Sequence, residues 1–363
     1  MLTFGVEIEC LVPTAARTRL HQEIVAAGVP CRDVMRYHSG TDRDNWKLEV
    51  DGSLRPDVGT VGVEVVSPPL ELTTASFEQI EKVCRVLNTL DASVNRSCGL
   101  HVHVGLASVP VSAVRKLAAL YAEHEGLIDQ LIPPSRRGNA NNFCQSVATR
   151  ANMASLAQAN TIRDVSYALN GDNKYYKLNL NSYWRYSTVE FRHHSGTVDA
   201  AKIIKWVTFV CKMVEAAIRD ANVPIAGSEV VQADPYEFHR YWRSHRHIRQ
   251  VFRLLTRPEG ATGEEIRQAL GRRTRPDPRY YLRQAEASTT PIARRDGLPV
   301  YRLGNYPAAS NTAPVATPAT LAELYDKLAL DDADKEFWRE RATILSSGTP
   351  RRRAVRAVAG GNT

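Results

Sequence analysis

Polar residues recur at every second position in several short apolar stretches of the chain, and between these lie longer stretches whose apolar residues return every three or four positions. The first pattern has the period of a half-buried strand and the second that of an amphipathic helix. Strands are predicted near Thr3 to Cys10, Trp46 to Val50, Gly62 to Ser67, Leu100 to Gly105, Lys177 to Leu180 and Thr188 to His193. Helices are predicted from Ser76 to Leu90, through Phe77, Ile80, Val83, Cys84 and Leu87, and from Ser112 to Leu131, with Ser112 as N-cap. A third runs from an Asp199 cap to about Ala221. Uneven helices between strands that pair antiparallel predict an α+β fold with a mainly antiparallel sheet.

Three strands carry paired polar residues spaced one apart: Glu7 with Glu9, His101 with His103, and Glu190 with Arg192. Each pair shares a strand face, while Val6, Ile8, Val102, Val104, Val189 and Phe191 point to the other. The expected sheet therefore has one apolar face under helices and one open, charged face. Burying unpaired carboxylates costs several kcal/mol each, so their repetition points to a metal or ligand that neutralises them.

Beyond Asn222 the pattern changes. Residues 226–238 read as a linker, and His239 to Leu255 as a helix rich in Arg and His. A short capped helix follows over Thr262 to Gly271, then a helix over Tyr280 to Ala287, then a hairpin turning at Asp296-Gly297. This is the outline of a winged helix over 239–305. Residues 306–363 read as a flexible connection, one last helix from Leu321 to Leu345, and a basic tail. The expected organisation is a catalytic domain over 1–225, the linker, the basic module and this terminal segment.

Of 363 residues, 43% are hydrophobic and 24% charged, enough for a sizeable core. No run of about eighteen apolar residues occurs and no basic, apolar leader opens the chain, so a cytoplasmic protein without a membrane span is expected. Six widely spread cysteines without a Cys-x-x-Cys pair predict reduced, buried thiols. The net charge of +8 is uneven: Tyr236 to Asn305 holds fifteen Arg, no Lys and seven acidic residues, which accounts for the whole excess. A neutral body joined to a basic module predicts a nucleic-acid or protein partner for residues 239–305.

Further motifs keep company with the paired strands. Asp51-Gly52-Ser53-Leu54 closes a strand with an acidic turn, and Glu64 lies inside the apolar Gly62 to Ser67. A polar turn, Asn95-Arg96-Ser97-Cys98-Gly99, precedes the two-histidine strand. Partners that are Glu and Asp rather than Cys suit Mg²⁺ or Mn²⁺, with imidazole joining for Mn²⁺ or Zn²⁺. No G-x-x-x-x-G-K-[ST] loop occurs, which argues against a P-loop ATPase. A metal-dependent hydrolase or nuclease on the same face, and a non-catalytic nucleic-acid-binding protein, both remain open.

In order, Phe4-Gly-Val-Glu-Ile-Glu, Asp51-Gly-Ser-Leu, Glu64-Val-Val-Ser-Pro-Pro, Ser97-Cys-Gly-Leu-His-Val-His-Val-Gly and Val189-Glu-Phe-Arg-His-His-Ser-Gly-Thr resemble the amidoligases over about Leu2 to Ile225. These are carboxylate–amine ligases with the fold of glutamine synthetase and glutamate–cysteine ligase. The resemblance implies an ATP-dependent reaction through an acyl phosphate, with small-molecule or peptide carboxylate and amine substrates, and leaves an oligomer open. It implies Mg²⁺ or Mn²⁺ held by Glu7, Glu9, Glu64 and His101, with catalytic roles for His101, His103, Glu190 and Arg192. Arg136 and Arg137 are expected as a mobile clamp over phosphate, and Asn142, Lys177, Asn179 and Asn181 as further nucleotide or substrate contacts. His193 and His194 are expected to be structural, and Cys98 and Cys144 to be packing residues.

Overall fold

The computed structural model describes residues 2–34, 42–221, 254, 261–270, 293–295, 298–301 and 320–347. An eight-stranded sheet organises the first 221. Its strands are β1 (Thr3–Pro13), β2 (Cys31–Asp33), β3 (Trp46–Glu49), β4 (Thr60–Val66), β5 (Leu70–Glu71), β6 (Gly99–Gly105), β7 (Leu178–Asn179) and β8 (Thr188–Ser195). Their order is β2-β3-β4-β1-β6-β8-β7, with β5 pairing the start of β1. Only β2 and β3 are parallel; every other pairing in the sheet is antiparallel. The α+β class is as expected, and the longest strand, β1, lies at its centre.

Alternation in β1, β6 and β8 does what its period requires. Val6, Ile8, Val102, Val104, Val189 and Phe191 are all buried in one core with the helices. Three helices supply much of that core: α2 (Thr74–Thr89), α3 (Val111–Gln130) and a long one over Ala200–Arg219. Thr73 caps α2 through the Ser76 amide, and Asp199 caps Ala200–Arg219 through the Lys202 amide. The expected Ser112 cap of α3 is corrected. The cap is Pro110, two residues earlier, because the Pro110 carbonyl already accepts the Val114 amide, leaving Ser112 in the first turn.

The expected single last helix is also corrected to two, Leu321–Lys327 and Asp332–Ser346. Ala329 takes a left-handed φ of 51°, and Asp331 accepts the Asp334 amide at 2.7 Å, which stops one helix and starts the next. Both meet the Ala200–Arg219 helix: Arg219 donates to the Lys327 carbonyl at 2.8 Å at the end of the first, and in the second Trp338 meets Trp206 and Phe209 while Asp334 pairs Lys205 at 2.6 Å.

In the Arg-rich region, Ala261–Thr262, Ala293–Arg295 and Leu298–Tyr301 form a three-stranded antiparallel sheet, with a helix over Gly263–Leu270. Nearly all of the helices expected over His239 to Leu255 and Tyr280 to Ala287, and the 226–238 linker, the Asp296-Gly297 turn and the basic tail, lie outside the described residues. All six cysteines are free and buried. Among the described residues no helix is long and apolar enough to cross a membrane.

Candidate active site

Strand register gathers the charged residues into rows across one face. Glu49 stands opposite Glu64, and Glu64 opposite Glu9; Glu7 stands opposite His101; His103 stands opposite Glu190, and Glu190 opposite Asn179. These contacts join six strands, and no two-strand motif contains them.

Glu7 lies in the middle. Its Oε2 is 3.1 Å from His101 Nδ1 and its Oε1 is 3.1 Å from His103 Nε2, while His103 Nδ1 meets Thr188 Oγ1 at 3.0 Å. Burial alone would raise the Glu7 carboxyl, but His103 and His101 bring it well below the ordinary carboxylate range. Burial would likewise lower His103, and the Glu7 carboxylate outweighs it, so His103 titrates above its ordinary value. A charged His103 donates to both Glu7 and Thr188.

Glu190 is buried, yet Arg192 and the two imidazoles hold it low. Arg192 donates to Glu190 Oε1, and Asn179 Nδ2 donates to Oε2 at 2.5 Å. Glu64 is the opposite case. Burial, then Glu7, Glu9, Asp51 and Glu49 around it, push its carboxyl well above the ordinary range. That neighbourhood holds more negative charge than its own cations offset.

Three overlapping groups on the face have ligand atoms within 4.8 Å of one another: Glu7, His103 and Glu190; Glu7, Glu64 and His101; Glu9, Asp51 and Glu64. All four expected metal ligands fall among them. Carboxylate oxygens with imidazole nitrogen suit Mg²⁺ or Mn²⁺, and the displaced titration of Glu64 marks where positive charge is wanted. The residues present fit such ions. Asp51 and Glu49 were not among the expected site residues. The signal for Asp51 was its acidic turn, whereas Glu49 lay in a strand without a distinguishing pattern.

Arg136 reaches the same face from a 3₁₀ turn, Pro134–Arg136, beyond α3. It is 3% exposed, donates to the Cys98 carbonyl at 2.6 Å and lies close to the Cys144 thiol. It pairs with no carboxylate among the described residues. Gly99 makes the approach possible. A Cβ there would stand 2.8 Å from His101 Nε2 and 3.2 Å from an Arg136 nitrogen, and the Gly99 amide donates to Glu9 Oε2 at 2.5 Å. Gly196 has a similar reason, since a Cβ would fall 2.5 Å from Cys98 Cβ. The Cys98-Gly99 and Ser195-Gly196 motifs are thus two sides of one close contact.

Other expected contacts lie elsewhere. Arg137 turns back to the Ile132 carbonyl at 2.8 Å, so the two arginines do not act as one clamp, and Arg136 is held rather than free. Lys177 is fully buried between Glu125 and Asp129, 2.7 Å from each. Asn181 does not share a face with Asn179, because β7 ends at Asn179 and Asn181 Nδ2 donates to the Asp172 carbonyl. Asn142 is exposed on the loop beside Phe143, whose carbonyl accepts from Arg192 Nε.

His193 follows Val189 and Phe191 to the helical side by plain alternation, and a register shift between β6 and β8, at Leu100 to Val102, brings His194 there as well. Both rings turn to the helical side and contact Trp206. His194 is held near 3 by burial, then by Arg341, and stays neutral. At the other end of the face a cavity of about 380 Å³ opens beside Glu7 and His103, lined also by Lys47, Glu49, Val66 and Tyr186.

A mainly antiparallel sheet with helices on its apolar side and an acidic face that could hold a cation on the other defines the class of protein. A family model described as "Putative amidoligase enzyme" matches residues 1–214, which include the whole sheet, so the chain belongs to the amidoligase family. It is a ligase of the amide-forming kind. No curated protein matches the chain.

Proposed function

We propose that this protein joins a carboxylate to an amine at the expense of ATP. The observation that carries the reading is the pairing of unlike features on one face. A buried, over-negative carboxylate cluster lies beside Arg136, a buried cation without a carboxylate partner among the described residues. The first accepts divalent cations and the second accepts an anion; a nucleotide triphosphate with its metal brings both.

In this reaction the substrate carboxylate oxygen attacks the γ-phosphorus of ATP and ADP leaves, giving an acyl phosphate. The amine nitrogen then attacks the acyl carbon, phosphate leaves, the nitrogen gives up a proton, and an amide remains. Glu7, Glu64 and His101, with Glu9 and Asp51, would hold Mg²⁺ or Mn²⁺, which neutralises the phosphates. Arg136 faces the charge that gathers on the transferred phosphoryl oxygens. Glu190, gripped by Asn179, fixes Arg192 at the opposite side of His101, so its guanidinium needs no reorganisation as charge develops. The carboxylate and amine are small molecules or peptide groups. We assign the arginine-rich 239–305 segment to a polyanionic partner, on its charge alone.

Thermal melting with Mg²⁺ or Mn²⁺ and a non-hydrolysable ATP analogue tests the reading, because a ligand that binds the native state raises its melting point. Metal and analogue together are expected to add to the shift given by metal alone. A shift with metal and no gain from the analogue would favour a metal-dependent hydrolase on the same residues.

A further inference from the structure

The cluster behind the face is built as carefully as the face itself. Glu125 and Asp129 lie one turn apart near the end of α3, with Lys177 Nζ 2.7 Å from Glu125 Oε1 and 2.7 Å from Asp129 Oδ1. His193 Nε2 donates to Asp129 Oδ1 at 2.7 Å, and Tyr121 Oη donates to His193 Nδ1 at 2.8 Å. The second oxygens of the two carboxylates do something else. Asp129 Oδ2 accepts the Gly138 amide at 2.8 Å, and Glu125 Oε2 accepts the Val147 and Ala148 amides at 2.7 and 2.9 Å.

Those three amides are the two ends of one segment, and Arg136 stands two residues before its first anchor. Within it the Phe143 carbonyl accepts from Arg192 Nε, and the Cys144 thiol lies close to Arg136. The segment thus touches both arginines of the face while its ends are fastened to α3. The backbone has few other fixings: Ser146 N–H to Asn139 Oδ1, a few short-range turns, and Gln145 bridging to Tyr175 and Lys177. Gly138 itself takes a left-handed φ of 48°, so the chain turns sharply at the point where Asp129 holds it.

We infer that Asp129, with Glu125 and their shared counter-ion Lys177, is a positioning residue that holds Arg136 over Gly99 and His101. An isolated carboxylate at Asp129 would be costly to bury; Lys177 and His193 make it tolerable, and the oxygen left over fixes the loop. Lys177 serves the site from behind, through Arg136, without touching a ligand. This rests on the preceding reading of Arg136 as the anion-binding cation and adds the device that places it.

The test combines amide hydrogen exchange with a double-mutant cycle on the full chain. Asp129→Asn keeps the shape but replaces one acceptor oxygen by a donor. Exchange at Gly138 is expected to rise about tenfold or more, with β1 and β6 unchanged. ATP turnover is expected to fall about tenfold, and the double variant Asp129→Asn/Arg136→Ala to be no slower than Arg136→Ala alone. Should Asp129→Asn not fold, Asp129→Glu, which keeps the charge and displaces both oxygens, reads the same amide. Unchanged exchange at Gly138, or losses that add fully with Arg136→Ala, would overturn the inference. No ATP turnover in the parent chain would overturn the ligase reading instead, and the exchange result then decides the anchoring by itself.

Discussion

The described residues include two buried groups of carboxylates, and they are neutralised differently. Behind the sheet, Glu125 and Asp129 receive Lys177, a neutral His193 and three backbone amides, so their oxygens are occupied. On the face, Glu7, Glu9, Glu49, Glu64, Glu190 and Asp51 outnumber Lys47, Arg192 and His103, and Arg136 forms an ion pair with none of them. A carboxylate group balanced by the protein's own cations holds structure together. One left unbalanced is a place kept for an outside ion, and its cost to folding marks it.

The contrast breaks most visibly at Lys177. Lys177→Met leaves two buried carboxylates facing each other without a cation, and is expected to destabilise the fold by about 3–5 kcal/mol in urea unfolding. An equivalent deletion on the face should act the other way. Glu64→Gln is expected to raise the melting point of the metal-free protein and to abolish the shift produced by Mn²⁺.

Chemistry should suffer on the face whether or not stability does. Glu9→Gln and Arg192→Ala are each expected to lower ATP turnover about 100-fold, near 2.7 kcal/mol of barrier. Glu9→Gln should change the unfolding free energy little, whereas Arg192→Ala, which leaves buried Glu190 without its cation, should also destabilise the fold. Turnover equal to that of the parent would remove these residues from the site.

The two clusters should also answer pH with opposite signs. Burial alone would raise Asp129, but His193, Lys177 and the Gly138 amide hold it at about 2, from an ordinary 3.8. It therefore contributes roughly 2 kcal/mol of stability above pH 4, lost as pH falls from 4 toward 2, and Asp129→Asn should remove that slope. Glu64 has its carboxyl raised by burial and four carboxylate neighbours. Above its folded pKa the charged form weakens the metal-free fold, and acidification through that value relieves the cost. Melting curves across pH, with and without Mn²⁺, measure both, and the metal should flatten only the second. The smallest expected effect is a control away from both clusters: Asp199→Ala removes the helix cap at the Lys202 amide and should cost about 1 kcal/mol without altering turnover.

What the chain alone determined is whatever depends on near neighbours. A strand's side chains alternate with period two whatever it pairs with, so Glu7 with Glu9, His101 with His103, and Glu190 with Arg192 were assigned to shared faces before any pairing was known. Asp199 as a cap is legible for the same reason, since its partner is three residues away. Where local signals compete, sequence reading slipped: Ser112 yielded to Pro110, and a continuous terminal helix to the break at Ala329 and Asp331. Only the tertiary structure decided that Glu49, Glu64 and Glu9 form one row, and that Asp51 joins them, because register across strands is set by the packing of the whole sheet. It alone separated Arg136 from Arg137 and sent Lys177 behind the sheet, because outside regular elements a side chain's direction follows the backbone's distant hydrogen bonds, and those partners lie up to about fifty residues away in sequence. The β6–β8 register shift turned His194 from the face to the helices by the same kind of cause. An adjacent pair of residues can therefore be read as chemistry in the sequence, but which member reaches the ligand is settled by contacts the sequence does not place side by side.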